Sequence, residues 1–181
     1  MNCEYIVSPG IRKDTPTFHR YGITEMWECQ NKNMTNRTTL TETEIVFTNT
    51  QRVARLATAD VNGHPHIVPV CYAFDGTRFY IPLDEKPKKV DESKLRRVRN
   101  ILARHEASLL IDQYDDDWSR LGYVLVHGHA GLLQPADSLH AQALVLLRAR
   151  YVQYRTMLLE KHSVIIITPD SVTSWGPALA E

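Results

Sequence analysis

Lys86, Lys88 and Lys89 crowd into the segment IPLDEKPKKV. Clustered ammonium groups beside the exposed backbone N–H groups of a helix start make a seat for a phosphate. Ser93 can cap a helix running from about Lys94 to Arg104, which would supply that start. Against this, Asp84, Glu85, Asp91 and Glu92 lie in the same run and can cancel the lysines, leaving a solvated face. Arg55 sits inside the strand-like VARLAT, so its guanidinium must emerge at an edge, pair with an internal acid, or meet an anion. Thr58, three residues on, adds a hydroxyl on the opposite strand face unless a bulge intervenes. Trp118, in the acidic loop QYDDDWSRLGY, offers either a stacking surface for a heteroaromatic ligand or a plug over a barrel end. Trp175 carries the same choice. Asp115, Asp116 and Asp117 read as turn and cap residues, one of them paired with Arg120.

Two other chemistries have less behind them. His64 with His66, and His127 with His129, each stand two apart on a strand and share a face, as metal ligands can. No cysteine pair or HExxH helix completes a set, so metal binding is not the reading adopted. A hydrolase would need a nucleophile elbow, and no Gly-x-Ser-x-Gly occurs.

The elements that must position these groups are mostly strands. Thr41 and Glu44 have capping-box spacing and open a helix that carries Ile45, Val46 and Phe47. Asn62-Gly63 and Asp75-Gly76 tolerate the positive φ of tight turns. They divide VARLATAD, PHIVPVCYAF and TRFYIP into three antiparallel strands. Pro65 and Pro69 cannot donate to a ladder and belong at a strand start, an edge or a bulge. In the basic helix Leu95, Val98, Ile101 and Leu102 form one face, opposite Arg96, Arg97 and Arg99. SLLIDQY and LGYVLVHGHAGLLQ read as strands. A helix from about Asp137 to Tyr154 follows, then strands SVIIITP and SVTSW. About six strands with few helices and tight turns predict a mainly β protein with flanking helices, a small closed or split β-barrel.

Composition excludes several classes. The 181 residues suit one domain with an appendage, and 21 basic against 21 acidic residues leave no electrostatic footprint for nucleic acid. Three cysteines without a C-x-x-C pair favour a reducing, cytoplasmic setting. No stretch is apolar enough to span a bilayer as a helix. Residues 1–40 lack a sustained period and read as an N-terminal extension to a cofactor-binding domain over 41–181. Met34 is a plausible natural start, in which case deleting residues 1–33 leaves melting temperature and cofactor affinity unchanged.

Taken in order, RVARLATADVNGHPHIVPVCYAFDG, DEKPKK, LRRVRNI, DDDWSRLGYVLVHGHA, RYVQYR and ITPDSVTSW resemble the flavin-binding split-barrel family related to pyridoxamine 5′-phosphate oxidase. More narrowly, they are similar to its deazaflavin (coenzyme F420) dependent oxidoreductase branch. The resemblance covers about residues 40–178. It implies a split-barrel homodimer with the cofactor at the subunit interface. It places phosphate contacts on Arg55, Thr58, Lys86, Lys88 and Lys89, and ring-lining backbone on Val68, Pro69 and Val70. Trp118 matches the DDDW signature of the branch. RYVQY stands where relatives often read RYPQY, a difference that bears on the helix end more than on the site.

The function implied is hydride transfer between bound deazaflavin and a small, conjugated organic substrate. The cofactor supplies the chemistry, while the protein anchors phosphate, orients the ring and keeps the site dry. An extended basic groove through Arg96, Arg97 and Arg99 would favour the polyanionic deazaflavin tail. Flavin mononucleotide (FMN) is the alternative cofactor, and a non-enzymatic flavin- or haem-binding barrel the alternative role. No residue stands out as proton donor, although Tyr72, Tyr114, Tyr123 and the His127/His129 pair are in reach of the task.

Overall fold

A computed structural model describes residues 37–84 and 92–179. The expectations for residues 1–36 and for Lys86, Lys88 and Lys89 lie outside these. Among the described residues seven strands form one antiparallel sheet. They are β1 (Ala54–Ala59), β2 (Pro65–Val70), β3 (Ala73–Phe74), β4 (Phe79–Pro82), β5 (Glu106–Gln113), β6 (Gly122–Leu133) and β7 (Val164–Trp175), in the order β2-β1-β5-β6-β7-β4-β3. Three helices flank it: α1 (Glu42–Thr50), α2 (Arg96–Arg104) and α3 (Ser138–Arg150). None is long and apolar enough to cross a membrane.

The expected capping box opens α1. Thr41 Oγ1 accepts from the Glu44 N–H at 3.3 Å, and the Glu44 carboxylate takes the Thr41 N–H at 2.7 Å. Arg37 then grips the same carboxylate with two guanidinium nitrogens, and its carbonyl accepts from Val172 N–H on β7 at 2.7 Å. Arg37 thus ties the start of the described chain to the sheet.

Alternation along the strands sorts the sheet into two faces. Ala54, Leu56 and Thr58 of β1, Ala107, Leu109 and Ile111 of β5, and Val124, Val126 and Ala130 of β6 are buried together inside the curl. A second buried cluster joins Leu144 and Leu147 of α3 to Tyr80 and Val164. Both turn motifs behave as expected, with Gly63 at φ 84° and Gly76 at φ 98°. Asp60 takes the N–H groups of Asn62 and His64, and Asp75 those of Thr77 and Arg78.

The run PHIVPVCYAF is two strands rather than the expected one. Its first half, β2, pairs with β1 at one edge of the sheet, and its last two residues, β3, pair with β4 at the other. Only Cys71 and Tyr72 separate them. The three backbone steps from Val70 to Ala73 span at most about 11 Å, so the two edges must curl round to meet: this is a split barrel whose seam lies between β2 and β3. Pro65 and Pro69 explain why the ladder stops there, since β2 has reduced capacity to donate to another strand. Side chains close the seam instead. Tyr151 Oη accepts the Tyr72 N–H at 3.0 Å and lies 2.9 Å from the Tyr72 carbonyl, while Tyr72 Oη donates to the Thr48 carbonyl at 2.6 Å.

SVIIITP and SVTSW, in contrast, merge into the single strand β7. A register shift lets it bend: His127 faces Ser171 and Gly128 faces Pro169, leaving Asp170 as the extra residue. A Cβ on Gly128 would stand 2.3 Å from the Thr168 carbonyl oxygen, so the close crossing requires glycine.

Helix α2 starts at Arg96, and Leu95 rather than Ser93 is its N-cap, without a side-chain cap bond. A 3₁₀ turn over Glu92–Lys94, closed by Leu95 N–H to the Glu92 carbonyl, occupies the residues expected to begin the helix. Val98 and Ile101 are buried as expected, but Leu102 is 54% exposed because Asn100 turns inward and donates to Thr58 Oγ1 at 3.0 Å. Helix α3 ends at Arg150, short of Tyr154, and a 3₁₀ turn carries Val152–Arg155.

Candidate functional site

The seam opens into a cavity of about 260 Å³. Val68, Pro69, Val70 and Cys71 form one wall, Ile81, Pro82 and Asp84 another, and Arg97 and Tyr154 complete it. Residues from both edges of the sheet meet here because the two-residue link brings β2 back beside β4. The extended backbone of Val68–Val70 comes from an edge strand, so it presents main-chain groups that no neighbouring strand uses.

Arg97 makes this a candidate anion site. Its guanidinium is half-buried on α2, and its Nε is fully buried with no hydrogen-bond partner among the described residues. Burial lowers its pKa, opposed by the charges of Asp84 and Glu92. A buried donor left unmatched costs about 1–3 kcal/mol, and an anionic oxygen would remove that cost. Beside the helix, burial first, and then the charges of Arg96 and Arg97, push the His66 imidazole below its ordinary value. Glu92, before the helix, contacts His162 and the Ser163 N–H through its carboxylate.

Tyr154 and Asp84 line the cavity opposite. Tyr154 Oη donates to Asp84 Oδ2 at 3.2 Å. Burial, then hydrogen bonding with Cys71 and the charge of Asp84, holds the phenol protonated well above its usual range. The RYVQY segment therefore serves the site as well as the helix end: Arg150 and Tyr151 brace the seam, and Tyr154 reaches the cavity. Sequence reading missed Tyr154 and ranked Arg97 with its neighbours. Arg96 and Arg99 are exposed, and only the α2 phase against the sheet separates Arg97 from them.

Other predicted residues lie elsewhere. Thr58 is buried on the inner face, bonded to Asn100, whereas Arg55 is on the outer face, half-exposed, with its guanidinium 3.7 Å from Asp112. Their alternation along β1 keeps them from converging within this chain. Trp118 is 74% exposed in a 3₁₀ turn capped by Asp117, and it does not line the seam cavity. Asp115 pairs with Arg120 at 3.3 Å, as the loop composition suggested. Trp175 tilts against Tyr123 with ring centres 6.2 Å apart.

A second cavity, of about 440 Å³, lies on the outer face of β1 and β5, where Ala57, Ala59, Pro65, Ser108 and His127 line it. Ser108 and His127 are cross-strand partners, and Ser108 Oγ and His127 Nδ1 share a hydrogen bond of 2.7 Å. That contact was invisible to motif search because it depends on the β5/β6 register. His129 stacks on His105 at 5.6 Å, and His64 contacts Asp60. Among the described residues, no three His, Cys, Asp or Glu side chains are grouped to hold a metal ion.

Seven antiparallel strands curled round a seam define the class of split β-barrels. Residues 40–176 match the family profile described as pyridoxamine 5′-phosphate oxidase, and the chain belongs to that family. Among curated proteins it is similar to the 5a,11a-dehydrotetracycline/5a,11a-dehydrooxytetracycline reductase of Streptomyces rimosus, 30% identical over 94 residues. That match covers 51% of this chain and 63% of the relative, so the similarity spans less than two thirds of the reductase. Among solved structures, a conserved hypothetical protein of Mycobacterium tuberculosis superposes with a TM-score of 0.61 at 22% identity, covering 77% of this chain and 87% of that one. HutZ, the heme storage protein of Vibrio cholerae, gives 0.58 at 13% identity over 75% and 93%. A putative pyridoxamine 5′-phosphate oxidase of Listeria innocua gives 0.54 at 16% over 72% and 94%. At these identities the likenesses speak for the fold.

Proposed function

We propose that this protein is a cytoplasmic, homodimeric oxidoreductase that moves a hydride between a deazaflavin of the coenzyme F420 type and a small conjugated organic substrate. The observation that carries the reading is Arg97, a half-buried guanidinium with an unmatched Nε in a cavity walled by edge-strand backbone. A phosphate-bearing ring cofactor has the two ends this arrangement needs. Arg97, with Lys86, Lys88 and Lys89, would hold the phosphate through charge-assisted hydrogen bonds, and Val68–Val70 would orient the ring. Tyr154, kept protonated, gives its O–H to Asp84 at the cavity wall and is not a base. When bound, the cofactor supplies a hydride at its ring. The dehydrotetracycline reductase, a distant relative, supports a substrate with a reducible double bond.

The test is fluorescence titration of the purified protein with coenzyme F420 and, separately, with FMN. Quenching by the deazaflavin at far lower concentration supports the proposal, and preference for FMN changes the cofactor but keeps the reaction class. Binding of neither would overturn it and favour a haem-binding role. Arg97→Ala should weaken cofactor binding roughly tenfold to a hundredfold, the worth of one charge-assisted hydrogen bond at about 1.5–3 kcal/mol. Its melting temperature should change little, because relief of the partly desolvated charge is offset by the lost attraction to Asp84 and Glu92.

A further inference from the structure

We infer that Asp84 sets the charge the seam cavity accepts, favouring the singly charged phosphate of a phosphodiester over the doubly charged phosphate of a phosphomonoester. The inference rests on the cofactor-binding reading above and deepens it. A carboxylate is the group an anion site should least tolerate, yet Asp84 lines the cavity with Arg97 and is only 8% exposed. Among the described lining residues these two are the charged types, and they oppose each other. The attraction of an anion to the site grows in proportion to its charge, whereas the cost of taking it out of water grows with the square of that charge. A carboxylate that weakens the positive field therefore penalises a dianion more than a monoanion.

The position of this carboxylate is built into the fold. Leu83, 1% exposed, gives its N–H to the Ser163 carbonyl at 3.2 Å, which fixes the chain just past β4. Tyr154, equally buried, donates to Asp84 Oδ2 at 3.2 Å, and its own ring tilts against Tyr151 with centres 5.3 Å apart. Asp84 is thus held at the cavity wall rather than turned to solvent. Its charge acts on Arg97, working against the lowering that burial causes there. The same field that steadies the guanidinium opposes an incoming anion. A deazaflavin of the F420 type carries its phosphate as a diester with one negative charge. FMN ends in a monoester whose second pKa is about 6, so it carries two charges above neutrality. The rings of the two cofactors are nearly alike in shape, and Asp84 lets the cavity tell them apart at the phosphate.

The experiment uses the full chain and one ring at three charges: neutral 5-deazariboflavin, its singly charged 4′,5′-cyclic phosphate and its doubly charged 5′-phosphate. Each is titrated by fluorescence at about pH 8, where the monoester is fully ionised. In the wild type the cyclic phosphate should bind at least as tightly as the 5′-phosphate. Asp84→Asn keeps an oxygen to accept from Tyr154 but removes the charge. Affinity for the neutral ligand should then stay within about twofold, while the cyclic phosphate gains about tenfold and the 5′-phosphate about a hundredfold, because each ligand charge escapes one repulsion. Neighbouring cations attract every charged ligand in both proteins, so the change between them isolates Asp84. Tyr154→Phe, which leaves the carboxylate in place, should not reproduce this pattern. Equal changes for all three ligands in Asp84→Asn would make Asp84 a structural support and overturn the inference. A wild type that prefers the 5′-phosphate would overturn it without any variant, and so would the same pattern in Tyr154→Phe. If no ligand binds the wild type, or if Arg97→Ala leaves all three affinities unchanged, the underlying anion-site reading falls instead.

Discussion

Glu44 shows how one side chain links local and global structure. It closes the α1 capping box, and Arg37 holds it from the preceding segment. Burial pushes its carboxyl up, but hydrogen bonds from Arg37, Ser174 and Thr41 outweigh this and hold the pKa at about 2, against 4.5 in its absence. The folded value is the lower one, so the contribution is complete above pH 4.5 and is lost as pH falls from there through 2. Its size is about 3 kcal/mol by linkage. Glu44→Gln should therefore destabilise the protein near neutrality by about 2–3 kcal/mol and flatten the acid limb of a stability-versus-pH curve measured by urea unfolding. A wild-type acid limb retained in the variant would assign it to other carboxylates.

At the scale of elements the seam is the feature that matters, because backbone pairing stops there and side chains take over. Tyr151 serves both the N–H and the C=O of Tyr72, and the Arg150 guanidinium lies 4.9 Å from the Tyr72 ring centre. Removing one hydroxyl leaves buried backbone groups unmatched at about 1–3 kcal/mol. Tyr151→Phe should lower the melting temperature, speed amide exchange at Tyr72 and loosen cofactor binding, since Cys71 and Val70 line the cavity beside it. Gly128→Ala tests the bulge in β7. The new Cβ would meet backbone at 2.3 Å, so a loss of several kcal/mol or failure to fold is expected, far beyond the roughly 1 kcal/mol of a propensity effect.

At the scale of the whole molecule, the outer sheet face is the natural surface for the proposed second copy. Leu110 and Leu125 are direct cross-strand partners there, half-buried, on the same side of the sheet as Arg55 and His127. A dimer across this face could bring Arg55 of one copy near the other copy's cavity, which its distance from Thr58 prevents within one chain. Leu125→Asp should convert a dimer to a monomer in analytical ultracentrifugation and weaken cofactor binding in parallel. A monomeric wild type with intact cofactor affinity would refute the interface.

The sequence by itself determined the local rules. Capping-box spacing set the start of α1, Asn62-Gly63 and Asp75-Gly76 set two hairpins, and alternation in VARLAT put Arg55 and Thr58 on opposite faces. It also carried the family, through motif order along residues 40–178. Those features depend on residues close in the chain, where backbone sterics and short-range hydrogen bonds decide. Tertiary structure alone decided that PHIVPVCYAF breaks at Cys71-Tyr72, that Arg97 rather than Arg96 or Arg99 faces the cavity, and that Ser108 meets His127. Each of these depends on barrel closure, helix phase or cross-strand register, which are fixed by how the whole sheet buries its inner face. No local run of residues encodes that balance.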